Sequence, residues 1–375
     1  MARVDRVLVV GGGIAGMSLG IGLRRAGIRT DIVEIDAEWN VLGLGIALLG
    51  PTLRALRTIG LLERCIEQGF GYSSFAVGNP AGKIVQTVDL ARLNGPDYPA
   101  AVGIMRPAFH AALADACRDE GVVIRLGTSV ESLKQGQDSV EVVFSDGTTD
   151  RFDLVVGADG AYSKVRELAF GSDVRPRYTG QTVWRATVER PPEVTTLHVY
   201  YGGKGQPGFN PVSPDEMYVF LVQNSPDNER IPAERLPGAL REQLTGFGGL
   251  LAEARDRITR PEKIVHRPIE ALLVPPPWYR GRVLLIGDAA HVPTPHLASG
   301  AGIAIEDAIV LVELLRTDQP VPEILEGFMA RRFERCRMVV ENSVQFGEWE
   351  KHPNTPGADP AGLLGRSMAA LAQPI

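Results

Sequence analysis

Residues 6–36, RVLVVGGGIAGMSLGIGLRRAGIRTDIVEID, set three consecutive glycines between an apolar run and an amphipathic one and close on acids. No other stretch limits the possible folds as much. Val4 to Val10 reads as a strand buried on both faces, Ile14 to Ala26 as a helix with Ile14, Met17 and Ile21 on one side, and Thr30 to Glu34 as a second strand. Together they make a βαβ unit. Gly11, Gly13 and Gly16 form GxGxxG at its first turn. The first glycine permits the tight turn, the second lets the backbone approach a pyrophosphate, and the third lets the helix pack closely on the sheet. The helix start also offers unpaired N–H groups and the positive end of its dipole to phosphates. Glu34 lies 18 residues beyond Gly16 at a strand end, where a carboxylate can accept from ribose hydroxyls. The unit predicts an adenine dinucleotide site against the plainer reading of a structural turn, and by itself it leaves NAD and FAD open.

A chain of 375 residues with 44% apolar and 22% charged residues can bury one large core and a smaller one. Net charge is −6 and the basic residues are scattered, so no footprint for nucleic acid is expected. No apolar run reaches the roughly 20 residues that span a bilayer, and the first strand starts too near Met1 for a signal peptide, so a cytoplasmic protein without membrane contact is expected. Cys65, Cys117 and Cys336 are far apart and in no ligand spacing, which predicts reduced thiols and no metal site.

Helical patterns follow at Pro51 to Leu62 and Pro107 to Glu120, each with a proline near its first turn. Ser139 to Phe144 and Arg151 to Val156 read as strands of a hairpin joined through SDGT. Residues 180–274 change character to β-rich segments (QTVWRATVE, TTLHVYY, EMYVFLVQ, KIVHRPIEALLV) separated by Pro/Gly/Asn loops. Arg282 to Ile286 resumes the buried-strand pattern, a helix follows, and Leu325 to Glu350 predicts a long Arg-rich helix before a loosely ordered tail.

Two further segments repeat the strand, glycine turn, helix logic: DLVVGADGAYSKVR at 153–166 and RVLLIGDAAHVPTPHLASGAGIAIEDA at 282–308. With these three motifs in order, the chain resembles the flavoprotein monooxygenases of the para-hydroxybenzoate hydroxylase type. The TPHLASGAG spacing looks closest to single-component hydroxylases of salicylate and 6-hydroxynicotinate. The resemblance implies an α/β fold: a Rossmann-like FAD-binding domain (1–72, 100–178 and 275–330), an inserted, mostly antiparallel β-sheet substrate domain (73–99 and 179–274), and a C-terminal helix and tail (331–375).

By the same resemblance, Asp288 meets a ribityl hydroxyl of FAD, Gly287 lets backbone reach the pyrophosphate, Asp159 and Gly160 shape a cleft shared with the pyridine nucleotide, and Arg106 approaches the FAD chain. Reduced flavin carries negative charge at its pyrimidine edge, yet no Lys or Arg lies between His291 and Ile305. Backbone N–H groups at Ala298, Gly300, Ala301 and Gly302 and the helix dipole are then the available stabilisers. Pro295 and His296 are expected to face flavin and substrate, His296 as base or hydrogen-bond partner, with a structural histidine as the alternative. His291 reads as structural. Of the β-rich segment, Tyr201 and Arg185 are the candidates for the pocket wall; adjacent strand residues point to opposite faces, so Tyr200 and Tyr201 cannot both face inward. An inward Arg185 suits a carboxylate, whereas Tyr218 and Trp184 read as packing.

The implied reaction is hydroxylation of a small aromatic or N-heteroaromatic substrate, phenolic or carboxylate, through a C4a-hydroperoxyflavin, with bound FAD and with NADH or NADPH and O2 as cosubstrates. The chain is expected to be a monomer or homodimer. A halogenase or reductase on the same scaffold, or a flavin-binding module without turnover, are the alternatives. Two departures from the family pattern stand out: Ile35 and Asp36 after Glu34, where arginine is common, and Ser299 in place of a frequent glutamine.

Overall fold

A computed structural model describes residues 4–41, 43–203 and 205–375. The strand Arg6–Val10 lies in the middle of a six-stranded sheet, with Arg29–Glu34 and then Val123–Leu126 on one side and Leu154–Gly157, Val283–Leu285 and Tyr279–Arg280 on the other. All pairings are parallel except the last. Val7, Leu8 and Val9 are fully buried in one core with helices and with Val140, Val142, Phe144 and Phe152 of a three-stranded antiparallel sheet (Val130–Gln135, Val140–Phe144, Thr149–Phe152). The helices Ile14–Arg25 and Gly300–Leu315 pack together over it.

A second, eight-stranded sheet runs His291–Val292, Ile264–Leu273, Arg177–Glu189, Glu216–Asn224, Gln206–Pro211, Leu197–Tyr200, Ser74–Gly78, Ile84–Asp89. It is antiparallel except where Leu197–Tyr200 meets Ser74–Gly78. One face buries Trp184, Ala186, Tyr200, Phe209, Val219 and Leu221 in a separate core. A three-stranded sheet of Gly45–Leu49, Ala101–Met105 and Phe70–Tyr72 lies against the other face: Tyr218 abuts Gly45, and Asn210 abuts Gly103.

Three local expectations change. The helix expected over Pro51 to Leu62 ends at Thr58, and the chain turns through Gly60 at φ 69° before a new helix, Leu62–Gln68. The strand expected over Arg151 to Val156 is two strands: Thr149–Phe152 pairs in the hairpin, and Leu154–Gly157 enters the main sheet. Between them Asp153 accepts from the N–H groups of Asp5 and Arg6, both at 2.8 Å. The tail is not loose. It forms a helix, Pro360–Ala372, N-capped by Asp359 and held at its far end by Arg54 and Arg335 donating to its last carbonyls.

Candidate active site

The three glycines of the first turn do different work. A Cβ on Gly16 would sit 2.0 Å from the Gly11 carbonyl oxygen, and one on Gly11 2.4 Å from that of Ala158, so internal packing alone requires both. A Cβ on Gly13 meets nothing within 4 Å. Gly13 opens onto a cleft at the start of the helix Ile14–Arg25, which has no side-chain cap and no acid in its first turn. Those N–H groups are free for an anion. Glu34 stands beside the turn and braces it: its Oε2 accepts from Gly12 N at 2.8 Å and its Oε1 from Asp36 N at 2.9 Å. Ile35 is 74% exposed.

Asp159 is turned into its own loop, accepting from the Ser163 hydroxyl and from Val165 N at 3.0 Å, so the chain itself occupies both carboxylate oxygens. Its role in this structure is to shape the turn, and burial pushes its carboxyl above the ordinary range. Gly160, at φ 80°, has open space where a side chain would be.

The loop carrying Gly287 and Asp288 is tied down from below. Asp307 Oδ2 accepts from Gly287 N at 2.9 Å and pairs with His291 Nε2 at 2.7 Å, while Asp307 Oδ1 takes Arg332 Nε at 2.8 Å. Arg332 also reaches Glu306, which Arg335 grips bidentately. His291, Asp307 and Cys336 have ligand-type atoms within 4.8 Å of one another. Both Asp307 oxygens are already taken by donors, however, so the cluster is an ion-pair network. Asp288 itself makes no side-chain hydrogen bond among the described residues and is exposed; partial desolvation at the floor of the cleft raises its carboxyl, against the pull of the His291 and Arg106 charges. Arg106 begins the helix Arg106–Asp119; its Nε is buried without a partner, and burial and then the Arg185 charge lower its pKa, against Asp288.

The turn Pro295–Leu297 leads into Ala298, held left-handed at φ 47°, and the helix Gly300–Leu315 begins with no side-chain cap. A non-glycine residue in that region is strained and is found where surrounding structure fixes it, often at functional sites. The strain turns the chain so that the N–H groups of Gly300, Ala301 and Gly302 end one helix at the cleft. Ser299 is occupied locally, donating to Leu297 O at 2.7 Å.

The face of the large sheet opposite its buried core is only partly covered by the small three-stranded sheet. Register puts Val183 opposite Val222, Arg185 opposite Phe220, and Val199 and Phe220 on either side of Gly208. These side chains are half-exposed, and the Phe220 ring leans over Gly208, where a Cβ would meet it at 2.4 Å. Arg185 stacks 5.9 Å from the Tyr218 ring centroid, its Nε unpaired. Tyr218, Asn210 and Tyr72 form a buried polar group in which Asn210 Nδ2 donates to Tyr218 Oη at 3.3 Å, while Asn210 Oδ1 and Tyr72 Oη lack partners among the described residues. Tyr218, 5% exposed and packed on Gly45, lies beneath this face, in keeping with its reading as packing. Tyr200 is fully buried in the second core and Tyr201 is 41% exposed on the cleft side.

His296 does not face the cleft as the sequence led one to expect. Its side chain is 2% exposed and turned toward the C-terminal helix Val321–Lys351, with Thr294 Oγ1 at 2.7 Å from Nδ1 and Glu350 Oε2 at 3.1 Å from Nε2. Pro295 stands before it, half-buried, at the cleft. No sequence signal pointed to Glu350, because it sits in an unbroken helix far along the chain.

An open fingerprint turn, two uncapped helix starts, an unpartnered Arg106 Nε and an unbonded Asp288 carboxylate converge on one cleft between two sheets. Residues 5–343 match the FAD binding domain family. The chain is 33% identical to the 2-heptyl-3-hydroxy-4(1H)-quinolone synthase of Pseudomonas aeruginosa, covering 92% of this chain and 90% of that one. It is 31% identical to the aurachin C monooxygenase/isomerase of Stigmatella aurantiaca, with the same coverage. The fold matches Klebsiella pneumoniae HpxO complexed with FAD and uric acid at a TM-score of 0.85 and 22% identity, covering 98% of this chain and 97% of that one. The chain belongs to the FAD-binding-domain family, within the class of flavoprotein aromatic monooxygenases. It is an FAD-dependent monooxygenase that uses NAD(P)H and O2 on an aromatic substrate. Among the described residues no helix is long and apolar enough to cross a membrane.

Proposed function

We propose that the substrate is an N-heteroaromatic ring carrying an oxygen substituent, of the 4-quinolone kind, and that the enzyme hydroxylates a ring carbon beside that oxygen. The observation that carries this reading is the half-exposed apolar patch of Val183, Val199, Phe220 and Val222, with the half-exposed Arg185 at one end and the buried Tyr218 and Asn210 beneath it. Such a wall suits a flat, largely apolar ring with one polar edge. The relatives named for a quinolone and for aurachin C, 33% and 31% identical, support the same class, beside a 32% identical 3-amino-4-hydroxybenzoate 2-monooxygenase that acts on a carboxylate-bearing ring.

Bound FAD supplies the redox chemistry, so that NAD(P)H, a proton, O2 and the ring give hydroxylated ring, NAD(P)+ and water. The chain's residues do the rest. We assign the pyrophosphate to the turn at Gly11, Gly13 and Gly16, the ribose of the adenosine half to Glu34, the ribityl chain to Asp288 and Arg106, and the pyrimidine edge to the N–H groups at residues 300–302. Arg185 holds the ring oxygen or a carboxylate, and the apolar strand residues keep water from the reacting face.

The test is NAD(P)H oxidation and O2 uptake by the purified yellow protein over quinolones, hydroxyquinolines, hydroxybenzoates and urate, with peroxide assayed in parallel. Quinolone-stimulated oxidation with little peroxide supports the reading. Coupled turnover confined to benzoates or urate rejects it.

A further inference from the structure

Glu350 is a buried carboxylate half of whose hydrogen-bonding capacity is unused. Its Oε2 takes His296 Nε2 at 3.1 Å and Gln181 Nε2 at 3.3 Å, whereas its Oε1 is buried and has no partner among the described residues. Gly347, one turn earlier on the same helix, is what lets the carboxylate come this close: a Cβ there would stand 2.6 Å from Gln181 Oε1 and 2.9 Å from His296 Cε1. The hydrogens of the cluster fit one direction. The Thr294 hydroxyl can donate to Nδ1 while Nε2–H donates onward, which makes Glu350 Oε2 the terminal acceptor. Thr294 is fixed in turn by its own N–H on the Ser343 hydroxyl at 3.1 Å.

On the other side of Glu350 is the cleft. The Glu350 side chain is 11% exposed against 2% for His296, and Gln181, which meets it, lies on the same strand face as Val183 and Arg185; its charge also adds to the burial that raises the Tyr201 phenol. The order away from this strand face is thus Glu350, His296, Thr294. A buried carboxylate oxygen without a donor is costly, and a ligand that brings a donor relieves that cost.

We propose that Glu350 is a catalytic residue of this monooxygenase: its Oε1 accepts the ring N–H or O–H of the bound substrate, with His296 as the positioning residue behind it. The proton passes from the ring nitrogen or oxygen to Oε1, and the bonding pair stays on the ring, which becomes more electron-rich at the carbon to be hydroxylated. No electron leaves the substrate in this step, and the proton returns when product forms. The inference rests on the substrate reading above in that it requires a ring bearing an acidic N–H or O–H.

The binding arm of the experiment uses the oxidised holoenzyme without NAD(P)H and reads ligand binding from the perturbation of flavin absorption; kcat is read separately from hydroxylated product formed with NAD(P)H and O2. Two ligand pairs are compared: 4-quinolone with N-methyl-4-quinolone, and 3-hydroxybenzoate with 3-methoxybenzoate. The wild type is expected to prefer the donor-bearing member by roughly tenfold or more, and Glu350→Ala to lose that preference while keeping its FAD content. Glu350→Gln, which retains an acceptor oxygen but cannot hold the proton, keeps part of the preference and loses about 100-fold in kcat. His296→Gln lowers kcat with ligand Kd changed by less than about threefold, the split expected of a residue that acts through Glu350. An unchanged preference in Glu350→Ala overturns the inference. Binding of the benzoate pair alone rejects the quinolone reading while leaving the Glu350 test to be read on that pair, and binding of neither pair overturns both.

Discussion

Replacing Arg332 with methionine tests the claim that the cofactor loop is held by a buried ion-pair network. Arg332, Asp307 and Glu306 are all but fully buried, and Arg332 donates to Asp307 Oδ1 at 2.8 Å, Glu306 Oε2 at 3.0 Å and the Ile303 carbonyl at 3.0 Å. Three such bonds to buried groups, at about 1.5–3 kcal/mol each, set a ceiling near 9 kcal/mol. The loss is smaller because Glu306 keeps both contacts to Arg335, and Asp307 Oδ2 keeps His291 and Gly287 N. What is stranded is Asp307 Oδ1, left with only the Cys336 thiol at 3.7 Å, together with one carbonyl. Stranding one buried charge costs about 3–5 kcal/mol. The assay is guanidinium denaturation of the holoprotein, followed by tryptophan and flavin fluorescence, with Arg332→Met, Asp307→Asn and the double variant closing a cycle. We expect the double variant to be less destabilised than the sum of the singles, since removing the charge removes the need for its partner. A single Arg332→Met loss below about 1 kcal/mol, or strict additivity, refutes the reasoning. Arg337, whose two partners are exposed, serves as the control: Arg337→Ala leaves the midpoint where it was.

Gly13→Ala is expected to fold normally and to lower FAD affinity by roughly tenfold or more, because its side chain enters open cleft, whereas Gly16→Ala is expected to lower expression and apoprotein stability, because its Cβ would overlap the Gly11 carbonyl; flavin titration and thermal melts of both apoproteins separate the two. His291 gives a pH dependence. Burial opposes its charged form, but Cys336 and Asp307 more than offset this and raise its pKa well above the ordinary value. The fold therefore holds the proton more tightly than the unfolded chain, so the stability it contributes is complete below about pH 6.5 and is lost as pH rises through the raised value. Denaturation midpoints should fall on going alkaline in the wild type and fall less in His291→Gln. Arg185→Ala is expected to raise KM for an oxygen-bearing ring substrate by roughly tenfold, with little change in FAD content, in steady-state assays.

The first turn and its order of strand, glycines, helix and acid were legible in the sequence, because period, glycine geometry and helix-end electrostatics are local. The same holds for the uncapped start of the helix at Gly300, since the absence of Lys and Arg there is a fact of composition. Local pattern misled where the outcome depended on distant partners. The tail reads as loose until Arg54 and Arg335 are seen to hold its end. His296 reads as facing the cleft until Thr294 and Glu350 are seen to take both its ring nitrogens.

What the sequence alone determined is the kind of cofactor site, because a pyrophosphate is gripped by backbone, and the backbone's path is written in nearby glycines. The tertiary structure alone decided which side chains surround the substrate. Register across the large sheet selects Val183, Arg185 and Phe220 for the cleft and sends Trp184 and Tyr200 to the other side. The C-terminal helix lays Glu350 against His296 across 54 residues of chain. Such meetings come from the packing of whole elements, and no spacing within the sequence records them.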